Sequence, residues 1–313
     1  MIELAPPLLV AVFLWWFGTG AILLADGLPR SSRRTGLVVA SLFAGGAVAG
    51  IVAARGEATP AGAYVGFGCA LVLWGWHEAS FLMGVLTGPR RTPCPPGLAG
   101  WARFRAATAT VIHHEIALAL TAAGLVAATW GAPNRIAAWT FAILWIMRLS
   151  TKFNIFLGVP ALTDEFLPAR LRYLETYFRK ARPTLLFPAS VAGAAALTAV
   201  LASLALGAGA DAYERTGYAL VATLAALGLI EHGFMVLPIR DAALWRWALK
   251  GRDALRATAR TAAAADTHRP EGDAAPATPH PMPTPLDKAP GRFKTASAFP
   301  RPVPGPAAPS DWR

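Results

Sequence analysis

The chain is poor in the residues from which soluble proteins build their surfaces and cross-links. Of 313 residues only 15% are charged, against about 25% in soluble domains. That shortfall excludes an ordinary cytosolic enzyme. Two cysteines exclude a disulfide scaffold, and no CxxC or CxxCH spacing offers a zinc or covalent haem site. Cys69 reads as a small filler within an apolar run, and Cys94, in Thr92-Pro93-Cys94-Pro95-Pro96, as a loop thiol. Acidic residues are scarce too, 18 against 29 Lys and Arg. No repeat with a period of about 20–50 residues marks a solenoid. What is present is apolar: 55% hydrophobic residues with 29 Gly and 11 Trp, the composition of a membrane protein.

Seven apolar stretches run roughly over 5–25, 36–54, 61–83, 107–129, 136–157, 184–206 and 215–237. Each approaches the ~17–25 residues a helix needs to cross a bilayer. Only helices satisfy their own backbone groups in lipid, so the expected fold is an all-α polytopic bundle of about seven transmembrane helices. The opening Met-Ile-Glu-Leu-Ala-Pro-Pro has no basic n-region, so the first stretch is expected to be a retained helix and not a signal peptide.

Lys and Arg sort by side when seven spans alternate. One side collects Arg30, Arg33, Arg34, then Arg90, Arg91, Arg103, Arg105, then Arg170, Arg172, Arg179, Lys180, Arg182 and the C-terminal segment; the other has Arg55, Arg135 and Arg215. The positive-inside rule puts the N-terminus in the periplasm and the C-terminus in the cytoplasm. The basic excess is thus topological and requires no nucleic acid. Residues 1–250 are expected to form the bundle, with a short amphipathic surface helix over 167–180, where Leu167, Leu171, Leu174 and Phe178 repeat at helical spacing. A structured loop packed under the bundle is the alternative. The Pro/Ala-rich residues 251–313 are expected to be a disordered cytoplasmic tail.

Ionisable residues inside the spans carry the functional information. They are His77 and Glu78 beside Trp74 and Trp76, then His113, His114 and Glu115, then Arg148, Lys152 and Asn154, and finally Glu231 and His232. A charge at mid-bilayer costs at least about 2.5–3.5 kcal/mol, so each is expected to face the interior with a partner. Alternating topology puts all four groups in the cytoplasmic third of the membrane.

Three chemistries compete for them. In a purely structural network Arg148 and Lys152 pair with two of the three Glu, or Lys152 snorkels to the interface. A bare iron, manganese or zinc site would use His and Glu, but Glu-x-x-His spacing is absent, because Phe81, Leu118 and Phe234 stand three residues after the Glu. A tetrapyrrole site needs one neutral imidazole, from His77, His114 or His232, among aromatic and small residues. Trp74 and Trp76 would then flank the ring, the Glu would orient an imidazole, and Arg148 or Lys152 would meet a propionate or carbonyl.

The run Met147-Arg-Leu-Ser-Thr-Lys-Phe-Asn-Ile-Phe-Leu-Gly-Val-Pro160, with Asp164-Glu-Phe-Leu-Pro168 and Leu171-Arg-Tyr-Leu174, resembles the PuhE family, photosynthetic complex assembly proteins of purple phototrophic bacteria. His113-His114-Glu115 and Thr129-Trp-Gly-Ala-Pro-Asn134 are similar as well, and the resemblance spans most of residues 1–245. Where that family's pattern has Asn and His, Ala161 and Ala169 stand here. The resemblance implies a non-enzymatic, multi-pass protein of the bacterial inner (intracytoplasmic) membrane that helps assemble the reaction centre and light-harvesting antenna. It implies bacteriochlorophyll or a precursor as the bound cofactor, and reaction-centre and light-harvesting subunits or pigment-synthesis enzymes as partners. A membrane metallo- or haem enzyme acting on pigment intermediates, or a scaffold without cofactor, are the alternatives.

Overall fold

A computed structural model describes residues 4–161, 167–239 and 241–267. Eight α-helices follow one another: α1 (Ala5–Ala25), α2 (Arg30–Ala54), α3 (Pro60–Leu82), α4 (Gly100–Ala128), α5 (Ile136–Leu157), α6 (Leu186–Leu206), α7 (Ala212–Phe234) and α8 (Arg246–Thr267). No strand occurs among the described residues. Local chemistry starts several of them. Thr59 caps α3 by accepting from the Gly62 amide at 3.0 Å, ahead of Pro60 at the first helical position. Asp211 and Glu214 close a reciprocal capping box on α7 at 2.8 and 3.2 Å.

Six helices, α1, α2, α4, α5, α6 and α7, are long and apolar enough to cross a membrane. α3 is as long, but Trp74, Trp76, His77 and Glu78 dilute its apolar character. It tolerates them because it lies inside the bundle, packed on α1, α2, α5 and α7. A shared core joins Ala11, Ala63, Phe67, Ile143, Leu220 and Leu224. Small residues bring backbones together, as membrane packing favours: a Cβ on Gly228 of α7 would lie 3.0 Å from Met147 of α5. Leu9, Leu42, Phe43 and Leu120 point outward, as lipid-facing residues do. α4 is the least tightly packed of the spans.

Hydrogen bonds tie each end of the bundle separately. At one end Asn134 donates to the carbonyls of Ala54 (3.1 Å) and Gly62 (2.8 Å), and Arg55 donates to that of Ala128 (3.3 Å). At the other, basic end, buried Asp26 accepts from Arg170 and, at 2.6 Å, from Arg256 of α8. The C-termini of α1, α3, α5 and α7 thus lie opposite those of α2, α4 and α6, as alternate crossing requires.

Two expectations need correction. Residues 167–180 do not form an amphipathic α-helix on the surface. Ala169–Tyr177 is a 3-10 helix, and Leu171, Leu174 and Tyr177 are buried. Their spacing of three is the eclipsed period of a 3-10 turn. Leu171 and Leu174 pack with Phe81, so the segment plugs the basic end from below, as the structured-loop alternative had it. Second, helix α8 occupies 246–267 and so runs into the stretch expected to be disordered from 251. Its Ala- and Arg-rich composition supports a helix that buries Ala248 and Arg252, with Ala248 and the preceding Trp245 packed beside Leu23 of α1. The remainder of that expected tail, 268–313, lies outside the described residues.

Candidate functional site

The polar residues of α3, α4 and α5 converge just inside the basic end. Glu78 (α3) faces Arg148 (α5) at 3.7 Å and the Nε2 of His114 (α4) at 3.8 Å. Glu115 (α4) takes the Lys152 ammonium at 2.5 Å and the Trp145 indole N–H at 3.3 Å. Arg148 and Lys152 therefore pair with two of the three Glu, and Lys152 does not snorkel. Lys152 also lies 5.8 Å from the Phe81 ring centre, a contact with the negative face of the ring.

Two imidazoles sit above these pairs. His77 is 3% exposed and His114 fully buried, their ring centres 6.3 Å apart. The Nε2 of His77 shares a 2.9 Å hydrogen bond with Thr121 Oγ1, while its Nδ1 is buried without a partner. Both ring nitrogens of His114 and the Oε1 of Glu78 are likewise buried without a hydrogen bond. Buried polar atoms are nearly always bonded, so this concentration of unmet capacity sets the region apart.

The α3–α4 loop holds His114 in place. Its Thr87 carbonyl accepts from the His114 backbone N–H at 3.0 Å, and Arg90 N–H donates to the Ala109 carbonyl at 3.0 Å. Gly88 makes this docking possible, because a Cβ there would lie 2.2 Å from the Ala109 oxygen.

His77 also lines a groove of about 440 Å³ between α2, α3 and α4, within the usual range of small-molecule sites. Its walls are apolar and small, including Ala44, Gly45, Val48, Gly124 and Ala128, and His77 is the one imidazole lining it. Trp76 lies edge-on to His77 at 4.9 Å and donates to Ser41 Oγ at 2.9 Å. Trp74 turns the other way, onto Phe141 at 5.5 Å.

The remaining predicted residues are placed elsewhere. His232 (α7) is bonded at both nitrogens, to Ser150 Oγ at 2.9 Å and the Gly228 carbonyl at 2.8 Å. Asn154 donates to the Ser150 carbonyl and to Ser190 Oγ of α6, each at 3.0 Å. Glu231 accepts from the Trp15 indole of α1 at 2.9 Å. His113 is exposed on the outside of α4, so the expectation that it faces the interior is corrected: a residue beside buried His114 lies about 100° around the helix. The sequence therefore did not contain one constellation but a cluster on α3–α4–α5 and separate contacts on α7. Among the described residues no three His, Cys, Asp or Glu group so as to hold a metal ion.

Sequence reasoning missed Thr121, Ser41 and Asp26. Asp26 had a signal, being a lone acid beside the basic loop after α1. Thr121 and Ser41 had none, since single hydroxyls are ordinary in spans.

Comparison with known proteins follows the same outline. The family described as "Protein of unknown function (DUF3623)" matches residues 1–256. The chain belongs to that family. Its similarity to an "Uncharacterized 30.4 kDa protein in puhA 5'region" of Rhodobacter capsulatus is 39% identity over 246 residues, 77% of this chain and 89% of that protein. No solved structure matches. In this DUF3623 chain the motif over 147–160 has a structural part: Asn154 ties α5 to α6, and Gly158, at φ +139°, turns the backbone so that Val159 bridges Lys180.

Proposed function

We propose that this protein is a non-enzymatic membrane assembly factor for photosynthetic reaction-centre and light-harvesting complexes, belonging to the PuhE type. In this reading it holds bacteriochlorophyll or a late precursor and passes it to newly inserted subunits. The observation that carries the proposal is His77: an imidazole at an apolar groove lined by small residues, with a buried, unpartnered ring nitrogen. The relative's position beside puhA, in a photosynthesis gene region, supplies the biological context.

The residues fit such a pigment on chemical grounds. A magnesium tetrapyrrole would supply light absorption and would be held by a neutral nitrogen. His77 would provide that nitrogen, with the Thr121 hydroxyl orienting the imidazole through its other nitrogen. Trp76 flanks the ring edge, while Gly45, Gly124 and Ala128 leave a flat wall. The ion pairs of Glu78 and Glu115 neutralise Arg148 and Lys152 beneath it. The positive-inside rule sets the N-terminus in the periplasm and the basic end in the cytoplasm of the intracytoplasmic membrane, where pigment-synthesis enzymes and nascent subunits are met.

A cofactor-free scaffold is the competing reading, and the His232–Ser150–Asn154–Ser190 network, in which both nitrogens of His232 are bonded, favours it for that half of the bundle. An absorption spectrum of the protein, purified in mild detergent from phototrophically grown cells, separates the two. A red-shifted bacteriochlorophyll band that His77→Ala removes and His232→Ala retains supports the carrier. A colourless protein, or a band indifferent to His77, overturns it.

A further inference from the structure

A second groove, of about 950 Å³, lies at the basic end between the α3–α4 loop and the outer side of α4. Three arginines, Arg90, Arg91 and Arg105, line it, and Arg103 stands beside them on α4; the four divide in two. Arg90 is committed to Tyr177 Oη at 2.6 Å and to the Pro93 carbonyl at 3.2 Å. Arg103, next along α4, is committed to the carbonyls of Phe156 (3.1 Å) and Tyr177 (2.7 Å) and lies 4.2 Å over the Phe156 ring. Arg91 and Arg105, by contrast, are exposed and line the groove with no hydrogen-bond or ion-pair partner among the described residues.

Around these two charges the wall is mostly apolar. Trp101, 69% exposed, stacks on Phe104 at 5.0 Å, and Ala109 and Ile112 continue the same side of α4. From Trp101 to Ile112 the helix advances about 16 Å, from the interfacial aromatic toward the hydrocarbon. The loop that forms the opposite wall is fixed by its two backbone bonds to α4. Two free guanidinium groups at headgroup depth above an apolar channel match an amphipathic anion. Guanidinium is the side chain best suited to two-point contact with phosphate oxygens, and tryptophan favours the headgroup level.

We propose that this groove is a binding site for one anionic phospholipid, its phosphate held by Arg91 and Arg105 and one acyl chain lying along α4 past Ala109 and Ile112. The site is independent of the pigment groove, which lies between α2, α3 and α4 and shares none of these residues.

Native mass spectrometry of the full chain in detergent, titrated with phosphatidylglycerol and with phosphatidylcholine, tests this. One phosphatidylglycerol is expected to be retained in preference to phosphatidylcholine. Arg91→Gln with Arg105→Gln should weaken its retention about thirty-fold, given roughly a fivefold effect per charge at a membrane surface. Arg91→Lys with Arg105→Lys should stay within a few-fold, which controls for folding. Arg34→Gln with Lys250→Gln, an equal loss of charge elsewhere on the basic end, should change little. Equal retention of the two lipids overturns the proposal. So do equal losses in the two charge-removing variants, which indicate a diffuse surface field, and displacement by inorganic phosphate, which indicates a free-anion site.

Discussion

His77 and His232 are both buried imidazoles on long helices, yet their surroundings differ. On α7 both nitrogens of His232 are bonded, and around it Ser150, Asn154 and Ser190 knit α5, α6 and α7 together, with only the Asn154 Oδ1 left unpartnered. Between α3 and α4 packing is looser, a groove opens, and His77 and His114 retain unpartnered nitrogens. Burial alone does not mark a ligand. Unmet bonding capacity beside space does, because a sequence that can saturate one histidine has left others unsaturated a helix away.

That contrast can be broken or sharpened by four substitutions. The largest effect is expected from Lys152→Met, which strands the Glu115 carboxylate with only the Trp145 indole; about 3 kcal/mol of stability should be lost in a detergent-phase denaturation curve. A loss under about 1 kcal/mol would mean that the pair is solvated and the cluster is not closed. His232→Ala should cost about 2 kcal/mol by removing two hydrogen bonds and leaving a cavity, with pigment content unchanged. Loss of pigment there would erase the distinction between the two regions. Thr121→Val frees the second His77 nitrogen and should cost about 1 kcal/mol, with the pigment band retained but altered in position; a band at the wild-type wavelength would detach Thr121 from the ligand. His113→Ala, on the outer side of α4, should alter stability by less than about 0.5 kcal/mol and the spectrum not at all.

The spans were legible because lipid demands long apolar helices, and the expected bounds of α1 and α5 coincide with those observed. Pairing of Arg148 and Lys152 with glutamates was legible for the same reason: hydrocarbon leaves a charge few choices. Rotation about the helix axis was not legible. Adjacent His113 and His114 share every compositional signal, and only tertiary packing turns one outward and the other in. Leu171, Leu174 and Tyr177 fit a 3-10 period, but Leu167 and Phe178 fit an α period equally well, and the plug beneath the bundle decided between them. α8 was hidden by its Ala-rich composition, since its stability comes from the α1 face it covers rather than from its own apolar content.

The Asp26 carboxylate has a consequence for synthesis. Its two partners lie 144 and 230 residues further along the chain. During translation α1 therefore reaches the membrane with an acid whose cations have not yet been made. Arg170 arrives after five spans and Arg256 only after all the spans and the start of α8. A ribosome that stops before Arg256 leaves this acid with one cation or none, so the same contact that fastens the finished bundle also distinguishes it from every product that ends short of α8.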